Sequence, residues 1–145
     1  MTFQDSRDDA VAGSPSRTGQ RTDKTLTLTL EAGNSRSAVV LHCQGRTIFQ
    51  HEAQALSAIV AEVLPSARRM IVDLAGIDSC DSGALGELVL THMWAAAAGY
   101  TLMFASPKKS VRHLFESTNL LSVFDVYPSV PEAMAAMVLD EGQSA

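Results

Sequence analysis

Apolar residues along the chain follow two periods, one typical of strands and one typical of helices. Leu26, Leu28 and Leu30 alternate with threonines, which predicts a half-buried strand. A second strand is predicted from Ala38 to Cys43, and the intervening pair Gly33-Asn34 supplies a turn. We therefore expect these two strands to form a hairpin at one side of a sheet.

The helical period dominates the middle of the chain. Residues Glu52–Leu64 are predicted to form an amphipathic helix that ends before Pro65. Arg69–Leu74 is predicted as a strand, and because it is apolar on both faces it should be central in the sheet. A second helix is predicted over Ala84–Ala98, with Gly99 as a left-handed C-cap.

The phase of this second helix predicts which of its residues are exposed. At 3.6 residues per turn, one face should pack on the sheet through Leu85, Leu88, Val89, His92 and Ala96. The face roughly opposite contains Gly83, Glu87, Leu90 and Trp94. Leu90 and Trp94 are expected to be exposed, and tryptophan is enriched at protein interfaces. A slight rotation of the helix that buries Trp94 is the alternative.

The C-terminal part of the chain continues the alternation of strands and helices. Tyr100–Ala105 is predicted as a strand, followed by a helix with Ser106 as N-cap and Pro107 as its first residue. Leu120–Val126 is predicted to be a short connection with an edge strand. Ser129 begins a capping box that predicts a terminal helix.

Strands that alternate with helices predict a single α/β domain over residues 25–140, with a mixed central β-sheet of about four to five strands and about four α-helices. Residues 1–24 are polar and contain few apolar side chains, so we expect a flexible polar tail. Residues 141–145 are predicted to form a flexible C-terminus.

Composition excludes several function classes. The formal net charge of −5 over 145 residues argues against nonspecific nucleic-acid binding, which needs clustered Lys and Arg. The two isolated cysteines, Cys43 and Cys80, fit no ligand spacing and are interpreted as reduced thiols of a cytoplasmic protein. No apolar run approaches the ~18 to 20 residues of a membrane span, and the N-terminus lacks the apolar core of a signal peptide, so neither membrane insertion nor export is expected.

The stretch Met70–Gly86, MIVDLAGIDSCDSGALG, connects a buried strand to a predicted helix through a polar turn. Backbone N–H groups at a helix start can hold an anion or a phosphorylated side chain. Ser82 lies at the predicted N-cap, where a serine usually satisfies a free backbone N–H. Phosphorylation of Ser82 by a partner is the alternative role, and both remain open at this point.

The candidate catalytic constellations are incomplete. Asp73, Asp78 and Asp81 lack the supporting residues of a magnesium or phosphoryl-acceptor site. Ser82 has no Gly-x-Ser-x-Gly context, and His92 lies about three turns along the same helix, too far for a hydrogen bond. The histidines show no metal-ligand spacing. The sequence therefore predicts a protein that is not an enzyme and that has no cofactor or metal.

The central turn and the order of the elements resemble the STAS domain, a family named for sulphate transporters and anti-sigma factor antagonists. The matching residues at the turn are Asp73, Leu74, Ile77, Asp81, Ser82, Leu85 and Gly86. The resemblance continues through Gly99, the strand Tyr100–Phe104, the segment SPKKSVRHLFESTNL and Phe124. It covers about residues 26–139, nearly all of the predicted fold.

The resemblance implies transcription regulation through protein–protein interaction. In anti-sigma factor antagonists of this family, a partner kinase phosphorylates the second serine of the hallmark, but this sequence has Gly83 there and Ala84 where the family usually has glycine. Ser82 is then the remaining phosphorylation candidate. The expected partner is a kinase-type anti-sigma factor, a serine kinase, bound through the Asp81–Gly86 turn and the following helix. The expected contact residues are Asp81, Ser82, Gly83, Ala84, Glu87, Leu90 and Trp94.

The loss of a hydroxyl at Gly83 favours an alternative from a different class. Glycine cannot accept a phosphoryl group, so the usual switch would be missing. In this alternative the chain is a phosphorylation-independent STAS adaptor or scaffold subunit of a larger complex, such as a transporter.

Overall fold

The computed structural model describes residues 18–22, 26–32 and 38–144. Its elements in chain order are β1 (Thr18–Thr22), β2 (Thr27–Glu31), β3 (Val39–Ile48), α1 (Gln50–Ala67), β4 (Arg69–Cys80), α2 (Ser82–Ala98), β5 (Thr101–Ala105), α3 (Lys109–Ser117), a 3₁₀ turn (Leu120–Ser122), β6 (Val126–Tyr127) and α4 (Val130–Ser144). This arrangement confirms the predicted α/β class.

Within the described residues, six strands form one mixed sheet in the order β1-β2-β3-β4-β5-β6. β1, β2 and β3 pair antiparallel, which confirms the predicted hairpin of β2 and β3 at one side of the sheet. β3 through β6 pair parallel, so their carboxyl ends lie at the same edge. The helices α1 and α2, which follow β3 and β4, therefore both begin at that edge.

The sheet has more strands than the four to five predicted, because β1 lies in the segment expected to be a flexible tail. Its sequence, TGQRT, has no apolar alternation, and the strand pairs with β2 through its backbone. At the other end, α4 continues to Ser144 and covers most of the predicted flexible C-terminus. Residues 1–17, the turn predicted at Gly33 and Asn34, and Ala145 lie outside the described residues.

The core has two parts, one on each face of the sheet. The larger part lies under α1, α2 and α3 and includes Val72 and Phe104. The smaller part lies under α4 and includes Ile71 and Met103, the sequence neighbours of those two residues. Successive residues of β4 are thus buried on both faces, which confirms its predicted central position.

Two elements are longer than predicted. The helix α1 continues through Pro65 to Ala67, and its C-cap Arg68 adopts a left-handed conformation with φ 72°. Proline removes one backbone donor, but its fixed φ is compatible with a last helical turn. The strand β4 continues to Cys80, because β3 runs beside it to Ile48 and pairs with the residues expected to form the polar turn.

The extension of β4 depends on a glycine at one point. β3 has an irregularity between His42 and Gln44, and Gly76 of β4 lies opposite Gln44. A β-carbon on Gly76 would lie 2.7 Å from the carbonyl oxygen of Cys43 and 2.7 Å from Gln44 Cγ. The two strands can therefore approach here only because residue 76 has no side chain.

The start of α3 also differs from the prediction. Ser106 adopts a left-handed φ of 60° and donates its backbone N–H to the carbonyl oxygen of Tyr127 at 2.9 Å. The backbone of Ser106 therefore continues the pairing with β6, and α3 begins only at Lys109, with Lys108 as its N-cap. The predicted capping residue of α4 is confirmed, since Ser129 Oγ accepts from the backbone N–H of Glu132 at 3.2 Å.

Candidate functional site: the joined starts of α1 and α2

The two helix starts at the carboxyl edge of the sheet are joined directly. A single residue separates each strand from its helix: Phe49 between β3 and α1, and Asp81 between β4 and α2. The backbone N–H of Asp81 donates to the carbonyl oxygen of Ile48 at 3.1 Å. The Asp81–Gly86 turn is therefore held beside the start of α1.

Asp81, rather than the predicted Ser82, caps α2. Its carboxylate accepts a hydrogen bond from the backbone N–H of Ala84 at 2.7 Å, and its backbone is extended as an N-cap requires. The cap lies one residue earlier than predicted because β4 runs as far as Cys80. Ser82 is the first helical residue and is exposed, so its hydroxyl is accessible to a partner.

Gly83 is packed against α1. A β-carbon on Gly83 would lie 2.8 Å from Gln50 Cβ and 3.0 Å from Gln50 Oε1. The Cβ contact cannot be relieved by rotating the Gln50 side chain, so a larger residue at position 83 would push the two helices apart. The space beside Gly83 is thus occupied by Gln50.

Ala84 is predicted to contact the partner, but the structure buries it. Its side chain is fully buried in the larger core, because the first turn of α2 faces inward at this position. Asp81, Gly83 and Glu87 are half-buried, whereas Ser82 and Leu90 are exposed. The accessible part of the predicted surface is therefore narrower than the sequence indicated.

The orientation of α2 differs from the predicted phase. Leu85 and Leu88 are buried as expected, but Ala96 is exposed, and Thr91 and Ala95 are buried instead. At 100° per residue this is a rotation of about 60°. The predicted phase assumes that α2 packs on the sheet alone. The structure adds α1, where Ser57 Oγ lies 2.6 Å from Thr91 Oγ1.

The rotation defines the outer face of α2. We use this name for five exposed residues at helical spacing: Ser82, Gly86, Leu90, Met93 and Ala97. Leu90 is 63% exposed and Met93 is 57% exposed, and none of the five carries a charge. The predicted exposure of Leu90 is confirmed. Met93 and Ala97 were missed because the phase was wrong.

Trp94 lies at the border of this face. It is 39% exposed, and its ring packs against Tyr100 with the centroids 5.6 Å apart. The guanidinium carbon of Arg68 lies 5.7 Å from the centroid of the Tyr100 ring. Trp94 is therefore exposed, as predicted, and the covered part of its ring packs on Tyr100. His92 is a half-buried packing residue, with its ring 5.6 Å from that of Phe124.

The three aspartates of the central stretch have separate roles. Asp73 Oδ2 lies 2.6 Å from His42 Nδ1, and Asp78 Oδ1 accepts from Lys108 Nζ at 2.6 Å. The hydrogen bond and the charge of Lys108 lower the pKa of Asp78 below its usual value. Asp81 is engaged in capping. These three carboxylates therefore do not act together at one site.

The thiols of the two cysteines are protonated at neutral pH. Burial, with a contribution from Asp81, raises the pKa of Cys80 to about 12, and burial also raises the pKa of Cys43. Within residues 18–22, 26–32 and 38–144, no three His, Cys, Asp or Glu side chains are grouped for a metal ion. None of the helices in this part of the chain is both long and apolar enough to cross a membrane.

The family model for the STAS domain matches residues 29–133. The chain belongs to the STAS domain family. The match includes β3, β4, α2 and α3, and therefore the whole of the site described above. Comparison with curated protein sequences gives no significant match.

Solved structures have the same STAS fold. An anti-sigma factor antagonist from Mycobacterium paratuberculosis is 23% identical, with a TM-score of 0.66 over 79% of this chain and 96% of that chain. The phosphorylated form of the Bacillus cell fate determinant SpoIIAA is 18% identical, with a TM-score of 0.57 over 76% and 98%. A sulfate transporter family protein from Wolinella succinogenes is 12% identical, with a TM-score of 0.61 over 69% and 84%. At these identities the likeness is one of fold.

Two residues of the site, Phe49 and Gln50, are not predicted from the sequence. The available signal was Glu52, three residues after Phe49, which is the spacing of a capping box. Phenylalanine is not a usual capping residue, so the sequence around Phe49 does not indicate the start of α1. Only the pairing of β3 with β4 places these residues beside the turn.

Proposed function

We propose that this STAS domain is a non-catalytic protein-binding module of the anti-sigma factor antagonist type. It docks a kinase-type anti-sigma factor through the Asp81–Gly86 turn and the outer face of α2, and in this way regulates transcription in the cytoplasm. The observation that carries the proposal is the outer face itself, an uncharged stripe that begins at the turn and includes two large exposed apolar side chains. Such a patch is typical of protein interfaces.

Phosphorylation of Ser82 is the proposed switch. Ser82 is exposed in the first turn of α2, where the helix dipole favours added negative charge and the adjacent Asp81 carboxylate opposes it. A phosphate adds roughly −1.5 to −2 charge at pH 7. Placed at the end of an uncharged stripe, it would weaken the contact with an apolar partner surface.

The second candidate function is a phosphorylation-independent adaptor in a larger complex such as a transporter. The observation that favours it is the contact between Gly83 and Gln50, which fills the space where a side chain would otherwise lie. The likeness to the sulfate transporter family protein is consistent with either function, because the identity is low.

The test is affinity purification of the full chain, with identification of partners and phosphorylated residues by mass spectrometry. We expect a kinase-type anti-sigma factor and phosphate on Ser82. With that partner in hand, Leu90→Asp should weaken binding by about tenfold or more, since one hot-spot residue can contribute that much. Val138→Asp is the matched control, because Val138 is also 63% exposed but lies on α4.

Two outcomes would contradict the proposed function. Recovery of transporter subunits, with Ser82 unmodified and Ser82→Asp harmless to binding, would reject the anti-sigma factor antagonist function in favour of the adaptor. Equal weakening by Leu90→Asp and Val138→Asp would reject the outer face of α2 as the docking surface.

A further inference from the structure

We propose that the docking surface continues from α2 onto the start of α1, where Phe49 is its aromatic anchor and Gln50 its polar contact. This inference rests on the proposed function and adds a second half to the same site. The occupant is the protein partner, and its matching surface has an apolar pocket for Phe49 with basic side chains at the rim.

The two halves form one continuous surface. The hydrogen bond from the Asp81 N–H to the Ile48 carbonyl oxygen, 3.1 Å long, joins the residues that precede the two helices. Gln50, the first residue of α1, lies against Gly83, the second residue of α2, and Gln50 Oε1 is 3.0 Å from where a β-carbon on Gly83 would lie. Gln50 is exposed, and its carboxamide therefore lies against the residue that follows the exposed Ser82 in α2.

Phe49 is exposed although its backbone is fixed on both sides. Its side chain is 43% exposed. Its N–H donates to Glu52 Oε1 at 2.8 Å, and its carbonyl oxygen accepts from the N–H of Ala53 at 2.9 Å. A single exposed aromatic residue is common. One on a preorganised backbone is better suited to binding, because less conformational entropy is lost on association.

The fixing of Phe49 depends on a buried carboxylate. Glu52 is fully buried, and among the described residues its second oxygen, Oε2, has no hydrogen-bond partner and lies 4.0 Å from His51 Nε2. Burying a carboxylate with incomplete hydrogen bonding is unfavourable. Its one strong hydrogen bond is the bond that holds the Phe49 backbone. The unfavourable burial of the Glu52 carboxylate is thus linked to the hydrogen bond that fixes the backbone of the exposed Phe49.

The charge of the surface formed by the starts of α1 and α2 and the outer face of α2 indicates which charge the partner carries around its apolar pocket. Its carboxylates are Asp81, which also caps α2, and Glu87, both half-buried, whereas Phe49, Gln50 and the outer face of α2 carry no charge. Complementary interfaces place opposite charges across from each other. The partner should therefore present lysine or arginine around its apolar pocket.

The experiment uses the full chain carrying a photo-crosslinking benzoylphenylalanine at Phe49, at Leu90 or, as the control, at Val138. We expect the same cross-linked protein from positions 49 and 90, identified by mass spectrometry, and none of it from position 138. A product from position 90 without one from position 49 overturns the inference. No product from either position overturns both the inference and the proposed function.

The identity of the product separates the two hypotheses. If positions 49 and 90 cross-link the same protein and it is not a kinase-type anti-sigma factor, the two-part surface stands and the proposed function is wrong.

Affinity measurements with the purified cross-linked protein complete the test. Phe49→Ala should raise the Kd by about tenfold or more, and Gln50→Ala by about threefold. Gln54→Ala, at an exposed glutamine one turn further along α1, should change the Kd by less than about twofold. Thermal unfolding verifies that each variant is folded. Equal Kd values for Phe49→Ala and Gln54→Ala would overturn the inference.

Discussion

The two faces of the sheet are held in different ways. The face under α1, α2 and α3 has a large apolar core in which Phe104, Phe115 and Phe124 contact one another. On the opposite face, α4 covers a smaller cluster, and the strands beside it carry the polar group Glu31, His42 and Asp73. The proposed docking surface is built on the face under α1, α2 and α3, where packing fixes the positions of α1 and α2.

Glu31, His42 and Asp73, on the face that α4 partly covers, form an ionic cluster. His42 Nδ1 lies 2.6 Å from Asp73 Oδ2, and His42 Nε2 lies 2.7 Å from Glu31 Oε1. Carboxylates accept hydrogen bonds, so both ring nitrogens must donate and the imidazole is protonated in this arrangement. Because the three residues belong to β4, β3 and β2, the cluster ties the hairpin to the central strand. On this face an ionic cluster therefore adds to the smaller apolar cluster under α4.

The largest expected loss of stability comes from comparing two adjacent residues of β5, one in each core cluster. Phe104→Ala removes ring contacts to Phe124 at 4.7 Å and to Phe115 at 6.4 Å, and it should cost about 3–5 kcal/mol. Met103→Ala, in the smaller cluster, should cost about 2–3 kcal/mol. Urea unfolding measures both. A larger loss for Met103→Ala would show that the face under α4 contributes more to stability than its packing suggests.

A smaller change in stability is expected from a substitution that tests how closely α1 and α2 pack against each other. Gly83→Ala should destabilise by about 1–3 kcal/mol, because the new β-carbon would overlap Gln50. Gly86→Ala is the matched control, since a β-carbon there would meet nothing within 4 Å. It should stabilise by about 0.5–1 kcal/mol through helix propensity. Thermal or urea unfolding of the two variants compares them, and effects of the same sign would contradict the close helix contact.

The smallest effect concerns the ionic cluster and depends on pH. Partial burial opposes the charge on His42, but the hydrogen bonds to Glu31 and Asp73 outweigh it and raise its pKa above 6.5. The stabilisation is therefore fully present below the unfolded pKa of about 6.5, while the carboxylates remain ionised, and it is lost as the pH rises through the folded pKa. Since 35% of the His42 side chain is exposed, we expect about 0.5 kcal/mol after solvent screening.

The measurement is the free energy of unfolding of the wild type and of His42→Gln between pH 5.5 and 9. The difference should be largest at the acidic end and should shrink as the pH rises. Thr29→Val, at the non-titrating residue opposite His42 in β2, is the control, and its difference should be independent of pH. A His42→Gln difference that grows with pH would contradict the ionic cluster.

Local patterns predicted the elements better than they predicted the limits of the elements. The alternation of Leu26 and Leu28 predicted β2, and Gly99, with φ 85°, ends α2 as expected. Pro65 was expected to end α1 but lies inside it, and β4 exceeds its apolar run by six residues, from Ala75 to Cys80. These limits depend on which strand runs alongside, and a local sequence window does not contain that information.

The candidate site was located by the sequence but shaped by the tertiary structure. The turn at Asp81 and Ser82, the helix that follows it and the exposure of Leu90 could be predicted, because they follow from local apolar spacing and from a short motif. The capping role of Asp81, the rotation of α2 and the burial of Ala84 were decided by α1 and β3, which pack from distant parts of the chain. The meeting of Gln50 with Gly83 has the same origin. Periodicity states which residues prefer to be buried, whereas the neighbours that assemble around a helix determine which side of it remains open.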